Sequence, residues 1–153
     1  MGADVIAAGV GNVFLSDDGF GVEVARRLAA EDLPTGTRVL DVGIRGFHLA
    51  YEVLDGCRAL VLIDAMLRGD APGTLTVLDV ADGIPAHDGP VDGHSLDPAA
   101  TLALVERLGG RLPRTYVVAC EPAVLDPGVG LSPAVAAAVE SAVDVVRQLL
   151  EEV

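Results

Sequence analysis

Tryptophan is absent from this chain, and aromatic residues make up only 3% of it. Its apolar mass is mostly Ala, Val and Leu, which favours packed helices and buried parallel strands over aromatic stacking surfaces. Cations are scarce as well: 10 Lys plus Arg stand against 23 Asp plus Glu, for a formal net charge of -13 and a pI of about 4.3. Phosphate backbones would be repelled, so no nucleic-acid partner is expected, and the acidity serves first to keep an apolar chain in solution. The two cysteines, Cys57 and Cys120, lack CxxC spacing and lie near apolar runs, as reduced core thiols do. No apolar run approaches the ~18 residues that a membrane span needs, and Asp64 interrupts the best one. The N-terminus shows no basic region followed by a cleavage site, and Ile6 stands where myristoylation would call for Ser or Thr. These absences predict a cytoplasmic protein with no membrane insertion.

What is present is a strongly apolar chain of 153 residues, 51% hydrophobic with a mean hydropathy of +0.48, enough for one domain over residues 1–153 with a real core. Val5 to Ala8 reads as a buried first strand. From Gly19, Phe20, Val24, Ala25 and Leu28 recur at helical spacing until Pro34 and Gly36 end the segment. Strands are predicted at Thr37–Leu40 and Ala59–Ile63, with a short amphipathic helix between them reaching about Leu54. Thr74–Leu78, after the turn Asp70-Ala71-Pro72-Gly73, reads as an edge strand, and residues 80–96 as a long loop. Asp97-Pro98 opens a helix, Thr115–Ala119 forms another strand, and Ser132-Pro133 caps a last helix marked by Val135, Val139, Val143, Val146 and Leu150. Strands alternating with helices predict an α/β sandwich around a mainly parallel sheet of about five strands.

The acidic residues fall where strands end. Asp17 and Asp18 follow the first strand, Asp41 ends the second, Asp64 ends the third, and His94 lies in the long loop. In a mainly parallel sheet the carboxyl ends share one edge, so these side chains can converge there. Carboxylates suit a cation at that position and not a phosphate, which a helix N-terminus would otherwise attract. Two carboxylates and one imidazole are suitable ligands for a divalent first-row metal. Each residue alone has a plainer use: Asp17 or Asp18 as a helix cap, Asp41 in an Asx-turn, His94 as an ordinary loop histidine. Asp64 is harder to set aside, because a charge beside a buried strand needs a partner.

Other chemistries fit poorly. Gly9-Val10-Gly11 starts like a dinucleotide fingerprint, but Phe14 occupies the third glycine position. No Walker A sequence, GxSxG elbow or HExxH helix is present. Cys120, at a strand end before Glu121-Pro122, has no positioned histidine in sequence and reads as a core thiol rather than a nucleophile.

Together the motifs resemble the [NiFe]-hydrogenase maturation endopeptidases. The resemblance runs from Gly9-Val10-Gly11-Asn12 and Asp17-Asp18-Gly19-Phe20-Gly21 through Asp41-x-Gly43-x-x-Gly46, Ile63-Asp64-Ala65, Pro72-Gly73-Thr74 and His94. It closes on Glu121-Pro122 and Gly130-Leu131-Ser132-Pro133. It implies a three-layer α/β/α sandwich and an endopeptidase that removes the C-terminal extension of a hydrogenase large-subunit precursor after nickel insertion. It further implies that Asp18, Asp64 and His94 contact the nickel, carried by the substrate, while Asp41, with Gly43 and Gly46, serves cleavage or substrate recognition. Asp17 is left to cap the helix or hold the loop. The family loop reads closer to Asp-Gly-Gly-Thr-x-Gly; Val42 and Ile44 replace its small glycine and its threonine, and Arg45 adds a cation. That departure keeps open a noncatalytic checkpoint or chaperone that tests nickel loading without cutting. A monomer or weak homo-oligomer is expected.

Overall fold

In the computed structural model, residues 4–44, 46–82 and 98–153 are described. Five strands form one sheet: β1 (Val5–Val10), β2 (Thr37–Gly43), β3 (Ala59–Ala65), β4 (Leu75–Asp79) and β5 (Arg114–Cys120), in the spatial order β2-β1-β3-β5-β4. All neighbouring pairs are parallel except β4, which runs antiparallel along β5 at one edge. Helix α1 (Phe20–Leu28), preceded by a 3-10 turn over Ser16–Gly19, and helix α4 (Pro133–Glu152) cover one face. Helices α2 (Gly46–Leu54) and α3 (Pro98–Arg107) cover the other. The three-layer α/β/α sandwich expected from the sequence is the architecture observed.

The central strands are apolar on both sides because both sides are covered. Every residue of β1 is buried, as are residues 59–64 of β3. Alternation then divides the core in two. Ala7, Val61, Ile63 and Val118 pack with Phe20, Val24 and Leu28 of α1 and with α4. Ile6, Ala8, Leu60, Leu62 and Val117 pack with Leu49 and Val53 of α2 and with Leu102 and Val105 of α3. Phe20 is fully enclosed, and burying a side chain of that size contributes roughly 1.5–3 kcal/mol.

Close approach of α1 to the sheet depends on two glycines. A methyl group on Gly9 would lie 2.1 Å from the Gly21 carbonyl oxygen, and one on Gly21 would lie 2.1 Å from that of Ile63. Gly9 and Gly21 thus serve helix-to-strand packing, one task that glycine also performs in dinucleotide folds.

Three expectations need correction. β2 does not stop at Leu40: its ladder continues through Asp41, opposite Gly9, and after a register shift reaches Gly43, opposite Val10. Asp64 is likewise inside β3, opposite Ala119, with Ala65 as the last strand residue. α1 ends at Leu28, and turns rather than helix fill the stretch before Pro34. Period and propensity locate an element, but backbone pairing with a neighbouring strand decides where it stops.

Candidate metal and peptidase site

The chain reverses its direction of winding between β1 and β3: β2 lies on one side of β1, and β3 and β5 on the other. In an open α/β sheet, the crevice at such a point, beyond the carboxyl ends of the strands, is the place for a ligand. Here it is walled by the segment after β1 and the end of β3, which carry Asp18 and Asp64.

Gly11 is the pivot of this crevice. Its φ of +137° lies in a region open to glycine, and its N–H donates to the Gly43 carbonyl at 2.9 Å. A methyl group there would sit 1.9 Å from the Asp18 carbonyl oxygen and 3.5 Å from Asp64 Oδ1. The backbone of Asp18 and the carboxylate of Asp64 therefore meet over one glycine. Next along, the Asn12 N–H donates to Asp18 Oδ2 at 2.8 Å, and the Ala65 N–H donates to Asp64 Oδ1 at 2.8 Å. Each carboxylate is thus oriented by a short-range backbone donor on the two segments that meet at Gly11, and carboxylate oxygens are suitable donors for a divalent cation.

Asp41 is placed differently. It shares its row of the sheet with Gly9 and Ile63, whose outward direction is toward α1. Asp64, one position beyond Ile63, points to the opposite face. Asp41 is exposed and lines a cavity of about 380 Å³ between residues 11–14, residues 42–44, and Val22 and Arg26 of α1. The structure brings Asp18 and Asp64 together at Gly11, and sets Asp41 beside them on the α1 side. His94 and Arg45 lie outside the described residues.

The adjacent Asp17 is fully buried. Its Oδ2 accepts from the Ala123 N–H at 2.8 Å, the Val124 N–H at 2.9 Å and the Ser132 hydroxyl at 2.8 Å, and its Oδ1 accepts from the Ser132 N–H at 2.7 Å. Burial alone raises its pKa, but these donors outweigh burial and hold the carboxyl below its ordinary value. No side-chain cap forms on the 3-10 turn or on α1. Of the two uses open to it, Asp17 holds the loop. Ser132 occupies the N-cap position of α4, yet its hydroxyl is turned to Asp17 instead of the helix.

The loop before Asp17 is fastened from a second side. Leu15 and Gly128 form an isolated parallel bridge, with the Ser16 N–H donating to Gly128 O at 2.9 Å and the Gly128 N–H to Phe14 O at 2.8 Å. Ser16 takes a left-handed φ of 53°, and its hydroxyl donates to the Asp126 carbonyl at 2.8 Å. A non-glycine residue there costs about 1–2 kcal/mol, which these surrounding bonds offset.

The family model described as hydrogenase maturation protease (HycI) matches residues 22–149. The chain belongs to the hydrogenase maturation protease family. Among relatives, this protease is 35% identical to the hydrogenase expression/formation protein HupD of Rhodobacter capsulatus, over 95% of this chain and 70% of that protein. It is 30% identical to the hydrogenase 2 maturation protease of Escherichia coli strain K12, over 97% of this chain and 91% of the relative. The solved structure of the hydrogenase maturating endopeptidase HybD from E. coli superposes with a TM-score of 0.82 at 28% identity, covering 97% of this chain and 92% of that one.

In this maturation protease, Glu121 is a functional support that no single motif exposed. Buried after β5, its Oε1 accepts from the Gly69 N–H at 2.7 Å and the Asp70 N–H at 3.0 Å, while its Oε2 accepts from the Arg68 N–H at 2.8 Å. It thereby anchors the segment that leaves β3 just after Asp64. Its presence in Glu121-Pro122 was visible; its three donors, being backbone groups, leave no side-chain signature. Cys120 is enclosed in the core under α4, and burial, with the nearby charges of Asp17 and Glu121, pushes its thiol up to about 11. A thiol so held is a poor nucleophile, as the sequence reading expects.

Proposed function

We propose that this protease removes the C-terminal extension of a [NiFe]-hydrogenase large-subunit precursor once nickel has been inserted, and recognises the nickel bound in that substrate. The observation that carries the reading is the meeting of Asp18 and Asp64 over Gly11 at the switch point of the sheet. Both supply carboxylate oxygens to a metal presented from outside. His94 supplies the third ligand as an imidazole nitrogen. α3 leads within a few residues into β5, so its Pro98 end is directed to the carboxyl edge, four positions after His94 in sequence.

Nickel here is part of the substrate. Asp18 and Asp64 would hold it and so orient the precursor with the scissile bond beside the cavity, and a metal held there would supply Lewis-acid chemistry if a carbonyl reached it. Asp41 faces that cavity rather than the two ligands, so its task concerns the peptide: to position the scissile segment, and to take a proton from the attacking water. Hydrolysis then divides the water between the new carboxylate and the new amine.

The test mixes the protein with nickel-loaded and nickel-free precursor and follows the mass of the large subunit. Loss of the extension from the nickel-loaded form alone is the expected result. Binding without loss of mass would establish the noncatalytic checkpoint instead, and equal cutting of both forms would remove nickel from the recognition step.

A further inference from the structure

Large hydrophobic residues stand exposed at nine described positions, and six of them, Phe14, Ile44, Leu67, Val124, Leu125 and Val129, lie on segments that follow strands at the carboxyl edge. The other faces of the sandwich carry few. Val129 is 81% exposed, Phe14 67% and Ile44 48%, yet the loops that bear Phe14 and Val129 are held by the Leu15–Gly128 bridge and from beneath by Asp17. Solvent-facing apolar groups on a fixed backbone mark an interaction surface.

The surface is also shaped. The cavity of about 380 Å³ beside Asp41 adjoins a second of about 130 Å³, lined by Ser16, Gly19 and Glu23 and by residues 129–131. Val13 and Arg26 line both, so the two depressions share one wall and make a trough running from the site across the outer face of α1. Side chains on one face of an extended peptide recur about every 6.6–6.8 Å, a repeat that suits adjoining depressions.

Charge adds direction. Arg26 is the single cation on the described walls of either cavity, in a chain of net charge -13. Glu23, the nearby carboxylate, pairs with Arg27 at 3.5 Å, and no described residue forms an ion pair with Arg26. An acidic group is repelled by most of this protein and accepted at Arg26, which selects register as well as partner.

We propose that this trough receives the precursor polypeptide flanking the scissile bond, as an extended segment that seats an apolar side chain between Phe14 and Ile44 and an acidic side chain against Arg26. The assignment rests on the processing reading above and names the part of that substrate which the trough takes. It also gives Ile44 a use: it adds apolar wall beside Asp41 and biases the protease toward its own precursor.

The test uses purified nickel-loaded precursor and measures both its Kd and the kinetics of extension loss. Phe14→Ser and Ile44→Asp should raise Kd and KM by about 10-fold or more, with kcat held within about twofold, as expected for lost docking contacts. Tyr51→Ser, on an exposed face of α2, serves as the control and should retain wild-type values. Arg26→Glu should raise KM about 10-fold, and replacing an acidic residue beside the scissile bond by Lys should recover it. Unchanged urea unfolding keeps the variants comparable. If the wild type cleaves and the Phe14, Ile44 and Arg26 variants match it in Kd and KM, the trough is not the docking groove and the processing function stands. If the variants lose binding while no form cleaves, the groove stands and the peptidase reading falls. A wild type that neither binds nor cleaves overturns both.

Discussion

Asp17 and Asp18 are the same residue at neighbouring positions, and they belong to different regions of the molecule. The partners of Asp17 are donors 106–115 positions away, gathered from the start of the loop after β5 and from the N-cap of α4. The backbone donor described for Asp18 is Asn12, six positions away, inside its own loop. The same contrast separates Glu121, which reaches back 51–53 positions to residues 68–70, from Asp64, which accepts from the next residue in the chain. One pair of acids fastens distant loops together; the other is presented at the edge those loops enclose. Identical side-chain chemistry thus serves architecture or ligand binding according to which donors reach it.

Breaking the fastening pair should produce the largest effect. Asp17→Ala empties a fully buried position and leaves the N–H groups of Ala123, Val124 and Ser132 without this acceptor, at a cost of about 3–5 kcal/mol, readable in urea unfolding. The same experiment on Asp18→Ala, which loses the Asn12 N–H bond, should cost only about 1 kcal/mol, and equal losses in the two variants would erase the distinction between them. Acid sharpens the contrast. Because the folded Asp17 carboxyl titrates below its ordinary 3.8, its contribution is complete above that value and is lost as the pH falls through the lower, folded one. Wild type should therefore lose stability steeply below about pH 4, and Asp17→Asn should show a flatter acid limb.

The presented pair should respond in the opposite way. Asp18→Ala and Asp64→Asn are expected to lower processing of nickel-loaded precursor by about 100-fold while the chain stays folded. Retained processing in either variant would remove that residue from the ligand set. Glu121→Gln should cost less than Asp17→Ala, about 1–2 kcal/mol, because one oxygen remains to accept. Its signature is local: amide exchange at Arg68, Gly69 and Asp70 should accelerate ahead of the strands. Exchange at wild-type rates there would mean that the segment is held by something else.

How much of this could be read beforehand varies with the kind of interaction. The buried strands β1 and β3, the faces of α1 and α4, and the overall layering followed from apolar runs and helical spacing, since burial leaves its mark on residue type. Asp18, Asp41 and Asp64 were legible as a group because strand ends carry them to one edge. The face of Asp41 was not, because it depends on a ladder that continues past Leu40 opposite Gly9, and nothing in the side chains around it announces that pairing. The roles of Asp17, Ser132 and Glu121 were open for a related reason. Their partners are mostly backbone N–H groups, which every residue except proline possesses, so no pattern of residue types points to them.

The bond between Asp17 and Ser132 closes a span of 115 positions in a chain of 153. During synthesis the aspartate is made long before the serine, so the loop that shapes the carboxyl edge stays unfastened until the last fifth of the chain is available. Closing so long a loop also carries a larger entropic cost than the local turns around it. The fastening of the working edge is thus a contact that no chain shorter than 132 residues can make, however complete its central strands are.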